Sequence, residues 1–233
     1  MTERLYKWLL PGMLTPAQRA RWPVAVGEWT KKEMPVLCES GWHGVTEKDV
    51  LGQMPPALGS HLYVVEARGV AHGADKFAAS SMKLVECIGT TDESNLRLFA
   101  CDVAEDVLHV FEDAYPGDSR PRTAIEIGRR FARGEATRGE LEASAEAAWE
   151  AAASAARDAA GAAAWAAAWA AGAAAGAAAG AAVGAAVWAA AWAAVWAARD
   201  AAGAAAAAAR DAAWDAAWAR YSNWLVVRLE SGY

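Results

Sequence analysis

The amino-acid sequence predicts an α+β protein: a small antiparallel sheet unit over residues 1–92, then an all-α, alanine- and tryptophan-rich hairpin or bundle over residues 93–233. Three observations predict it. Two β-rich runs, His61–Ala67 and Met82–Ile88, are each followed closely by glycine, as strands ended by turns are. Apolar residues then recur at helical spacing from Ala104 to Tyr115. Beyond about residue 140 the composition shifts sharply: all eight prolines lie at or before Pro121, all four histidines at or before His109, and alanine takes over.

Taken in order, Pro55, Pro56 and Gly59 separate an irregular opening segment from the first strand run. Gly69 and Gly73, with Asp75, predict turns that enclose a short middle strand around Val70. A helix over about 94–115 would present Ala104, Val107, Leu108, Phe111 and Tyr115 as one stripe, and Pro116-Gly117-Asp118 ends it. Asp102, Glu105 and Asp106 then read as acidic residues of its early turns, favoured by the helix dipole. Pro121 suits the first turn of a second helix, about 121–133, with Ala124, Ile125, Gly128 and Phe131 facing inward and Gly134 as its cap. Thr137 and Glu140 have capping-box spacing, so a third helix starts there and runs to about 230, broken near 157–158, 172–184 and 199–211.

Residues 159–198 carry no charged or polar side chain; they are 27 alanines, five glycines, five tryptophans and three valines. Trp165 and Trp169 precede four glycines at steps of four, and Trp188, Trp192 and Trp196 follow them. A step of four drifts about 40° around a helix, so one unbroken helix would not hold this line on a single face. The pattern is nearly mirror-symmetric about residue 178, and a hairpin folded at the glycines would set the two tryptophan sets side by side. Trp192 and Trp196 recur as Trp214 and Trp218 after 22 residues. The Arg-Asp pairs at 157–158, 199–200 and 210–211 are helix caps or a solvated edge.

Tryptophan must carry the packing of such a segment. A buried indole removes up to roughly 250 Å² from water, an upper bound of about 6 kcal/mol, and a methyl group far less. Core placement is the leading expectation for these rings, an exposed face for a partner the sharper one. A membrane hairpin is the third: the uncharged run exceeds one bilayer span and Gly-x-x-x-Gly packs membrane helices, yet the leucine, isoleucine and phenylalanine that drive insertion are missing from it.

Charge and cysteines bound the function. A net charge of −6 is the wrong sign for a nucleic-acid backbone. Cys38, Cys87 and Cys101 are too few and too scattered for a disulfide framework, and charges at Glu3, Arg4 and Lys7 do not suit a signal peptide. A reducing, cytoplasmic setting follows. No Gly-x-Gly-x-x-Gly, P-loop or Gly-x-Ser-x-Gly motif is present. Cys38 and His43 pair a thiol with an imidazole five residues apart, but no second cysteine or nearby histidine completes a zinc site or a triad. The plainer expectation buries Trp42 and puts His43 in a turn. No catalytic residue, cofactor or metal is expected.

Two stretches resemble known families. From about Tyr6 to Ile88, Cys38, Gly41-Trp42-His43, Val65-Glu66, Gly69 and Asp75-Lys76 resemble an uncharacterised domain of phage and bacterial proteins. That family often carries a second cysteine after the histidine, where this chain has Gly44-Val45. From about Ala100 to Glu142 the chain resembles actinobacterial proteins labelled immunity proteins. The matching residues are Ala104-Glu105, Val107-Leu108, Phe111-Glu112, Pro116, Asp118, Arg120-Pro121-Arg122, Ala124-Ile125-Glu126 and Arg133-Gly134-Glu135. His109 stands where that family tends to have proline. The resemblance implies neutralisation of a toxin by binding.

The expected function is therefore a non-enzymatic binding protein of phage or bacterial origin, immunity- or anti-defence-like, acting on a protein partner through its helical half. Self-association through the Ala/Gly/Trp helices is a further possibility for partners. A small-ligand or nucleotide site around Trp42 and His43 is the alternative. The residues singled out for interaction or packing are Trp42, His43, Trp165, Trp169, Trp188, Trp192, Trp196, Trp214 and Trp218.

Overall fold

A computed structural model describes residues 3–55, 57–155, 169–171, 193 and 207–231. The expected hairpin turn near 176–180 and the breaks at 157–158 and 172–184 lie outside the described residues. The fold is α+β, with an antiparallel sheet followed by helices. The sheet comprises β1 (Leu5–Leu9), β2 (Trp42–Thr46), β3 (His61–His72) and β4 (Phe77–Thr90). These close into a barrel in the order β1-β2-β4-β3, every pairing antiparallel.

β3 and β4 are one long hairpin. The turns expected at Gly69 do not occur there: β3 runs through Gly69 and Val70 to His72, and the chain reverses only over residues 73–76. Ser80 Oγ donates to the Arg68 carbonyl at 2.8 Å, tying the two strands across Gly69. Register shifts between Leu62 and Tyr63 and between Val64 and Val65 bend the hairpin so that so few strands can close. The core that results contains Leu9, Trp22, Tyr63, Val65, Phe77, Met82 and Leu84.

Helices follow, among them α1 (Glu93–Ala114), α2 (Arg120–Ala132), α3 (Arg138–Ala155) and α4 (Ala207–Ser231), and residues 169–171 and 193 are helical as well. The predicted stripe of α1 is buried at Ala104, Val107, Leu108 and Phe111, while Tyr115 stacks on Phe111 just past the helix end. Pro121 lies in the first turn of α2. Gly134, with φ of +77°, ends α2 in a Schellman arrangement, its N–H bonding the Phe131 carbonyl and the Glu135 N–H the Arg130 carbonyl. The capping box forms: Glu140 Oε2 accepts from the Thr137 N–H at 2.7 Å, and Thr137 Oγ1 accepts from the Glu140 N–H at 3.2 Å. Leu141, Ala145 and Ala148 of α3 then pack with Ala124 of α2.

The chain divides into two compact units, residues 1–92 with 222–233, and residues 93–221. α4 contributes to both. Its last residues reach the barrel through Gly89, where an added Cβ would stand 2.6 Å from the Leu229 carbonyl oxygen; only glycine lets that backbone approach so closely. Arg4 pairs with Glu230 at 2.8 Å, and Ser222 Oγ accepts from the Leu51 N–H at 3.3 Å. Asp211, expected as a helix cap or solvated edge, lies exposed inside α4.

Candidate protein-binding site

Trp42 and His43 both lie on β2, so His43 is in a strand and not in the expected turn. The half-buried Trp42 indole meets Trp22 edge-on, ring centres 5.2 Å apart, and its Nε1 donates to the Lys31 carbonyl at 3.0 Å. His43 Nε2 accepts from the backbone N–H of Cys38 at 3.0 Å. Burial, and then the nearby Lys7 charge, hold His43 below its ordinary range; as acceptor of the Cys38 N–H, its Nε2 is the unprotonated ring nitrogen. What His43 binds is the Cys38 backbone. Its pivot is Cys38 itself, with φ of +65°, which a non-glycine residue rarely adopts. The geometry is that of a fastened loop.

Lys7 shares the β1 face of Leu5 and Leu9, and its Nζ donates to the His43 carbonyl at 2.6 Å. Burial pushes its amine down to about 8. Among the described residues, no group of three His, Cys, Asp or Glu stands ready to hold a metal ion. Cys38 and Cys87 are exposed thiols and Cys101 is buried, none of them in a disulfide.

The helical unit carries ion pairs in which several acidic residues that the sequence presents as dipole partners or family markers meet arginines it does not single out. Asp102, Glu105 and Asp106 lie in the middle of α1, too far from its start for the dipole to matter. Arg129 of α2 bonds Asp102 at 2.9 Å and Glu105 at 2.6 Å; its hydrogen bond to Glu105 is the chief cause that raises the guanidinium and lowers the carboxyl. Asp106 accepts from the Tyr221 hydroxyl at 2.7 Å and pairs with Arg220. Arg122 grips Glu112 with two bonds of 2.6 and 2.7 Å, and Arg120 is bonded to Asp118. Of the residues that carry the immunity-protein resemblance, Glu105, Glu112 and Arg122 belong to the clamp between α1 and α2.

The surface of this unit has one feature that the clamp does not explain. Trp149 of α3 and the helical Trp169 are 41% and 42% exposed and lie against each other, ring centres 6.4 Å apart and tilted by 39°. Core placement, expected for Trp169, does not hold: Ala170 and Ala171 beside it are buried and the indole is outside. Trp214 and Trp218 of α4 are half-buried. Trp165, Trp188, Trp192 and Trp196 lie outside the described residues.

Trp149 was missed in the sequence, although a signal for it exists. Leu141, Ala145, Ala148 and Ala152 form the inward stripe of α3, at i, i+4, i+7 and i+11. Trp149 falls off that stripe, on the side of the exposed Glu142, Glu146 and Glu150. A large ring on the charged face of a helix is the signal by which Trp149 stands out in the sequence.

A family model described as "Imm-5 like putative immunity protein" matches residues 86–195, a span that includes the clamp, Trp149 and Trp169. Comparison with curated proteins and with solved structures gives no match. Among the described residues, no helix is long and apolar enough to cross a membrane.

Proposed function

We propose that the chain is a cytoplasmic, immunity-like binding protein of phage or bacterial origin that neutralises a protein partner without chemistry of its own, docking through its helical unit. The observation that carries this reading is the exposed, adjoining pair Trp149 and Trp169. Single exposed apolar residues are ordinary on protein surfaces; two adjoining indoles are not. Their open area is roughly 200 Å² together, and covering it is worth at most about 5 kcal/mol. That is enough for a hot spot and too much to leave idle. The clamp supports the same reading indirectly, because it fixes α2, against which α3 and so Trp149 are packed before any partner arrives. The likeness of residues 86–195 to an immunity-protein family agrees with it.

The test is capture from the source cell lysate by the unmodified chain and by Trp149→Ser. The unmodified chain should retain one protein near equimolar amount, and Trp149→Ser should lose it while melting within a few degrees of the original. Retention that is indifferent to Trp149→Ser would remove this face from the function.

A further inference from the structure

The net charge of the molecule sits in one unit. Residues 1–92 with 222–233 hold 11 Lys and Arg against 11 Asp and Glu, whereas residues 93–221 hold 11 against 17. All of the −6 therefore belongs to the unit that displays the indole pair. Around Trp149 the sign is local as well. Glu146 and Glu142 lie one and two turns before it on the same side of α3, and Glu150 adjoins it, all exposed. Glu142 is paired with Arg138 at 2.9 Å, and Arg120 approaches Glu150 only to 3.9 Å. Glu146 makes no ion pair among the described residues.

We infer that the Trp149–Trp169 face receives a cationic, arginine-bearing segment of the partner protein; this rests on the proposed docking function and names its chemistry. A guanidinium is planar and weakly hydrated, so it lies flat on an indole while its edge reaches flanking carboxylates. Lysine satisfies the charge but not the stacking. The same sign argues against the other occupants. A second copy of this unit, an anionic lipid surface and a nucleic acid would each bring negative charge to negative charge.

The experiment titrates the full-length chain with three short peptides of equal length, rich in arginine, in lysine or in glutamine, following tryptophan fluorescence at low ionic strength. The arginine peptide should bind best, the lysine peptide more weakly, and the glutamine peptide not measurably. Trp149→Ser should weaken the arginine peptide about fivefold and Glu146→Gln about twofold, with added salt weakening every cationic complex. Equal binding of the arginine and glutamine peptides overturns the inference. So does arginine binding that neither substitution alters, since that would be attraction to acidic residues elsewhere. The two readings separate cleanly: capture of a protein through Trp149 without peptide discrimination leaves the docking function standing and removes the cationic assignment. Peptide discrimination without any captured protein does the reverse.

Discussion

Lys7 shows how much a single side chain constrains the barrel. Its amine is drawn against the core, with the His43 carbonyl as its bonded acceptor, and its value falls from 10.5 to about 8. The sign of the stability effect follows. Between pH 8 and 10.5 the unfolded chain still holds a proton that the folded chain has released, so the folded state gains stability as pH rises through that window. Below pH 8 both states carry the charge and the folded state bears the cost of burying it. The expected outcome is a melting temperature that rises from pH 8 to 10 relative to Lys7→Met, whose own profile lacks that component. Parallel profiles for the two proteins would mean that the amine is solvated. None of this was legible in the sequence, where Lys7 served only as a charge near the N-terminus; its position depends on the pairing of β1 with both β2 and β3.

At the scale of elements, local chemistry was readable wherever the determinants lie within one turn of chain. The capping box at Thr137 and Glu140, the glycine cap at Gly134 and the proline in the first turn of α2 all depend on neighbours within five residues. Thr137→Ala removes the acceptor for the Glu140 N–H and should cost about 1 kcal/mol, read as a lower melting temperature with partner capture retained. A fall in capture without a change in melting would instead place Thr137 in the interface. Elements set by distant partners were misread. Gly69 has the composition of a turn, yet β4 continues opposite it and carries β3 straight through to His72. Asp102, Glu105 and Asp106 looked like dipole partners because their true ones, Arg129, Arg220 and Tyr221, are remote in sequence. His43 was expected in a turn for the same reason: the strand partner that makes it β2 is Ala78 of β4.

Across the whole molecule, the α+β class was legible from the composition shift, since strand formers and prolines occupy one end and alanine the other. Closure of the sheet was not, because it depends on two register shifts between β3 and β4 and on β1 finding partners on both sides. Nor was the return of residues 222–233 to the first unit, a pairing of the chain's two ends that no local pattern records. The binding face was half legible. Trp169 was singled out for its place in a tryptophan series, but Trp149, which shares the face, belongs to no such series. The central claim is that these two indoles are the covered surface of a protein complex. Tryptophan oxidation, mapped residue by residue by mass spectrometry on the free chain and on the chain bound to the protein it captures, tests it most directly. In the free chain Trp149 and Trp169 should react readily and Trp22, only 4% exposed, should not; in the complex both exposed rings should become protected while Trp22 and Trp42 are unchanged. Trp149 and Trp169 reacting as fast in the complex as in the free chain would contradict the account.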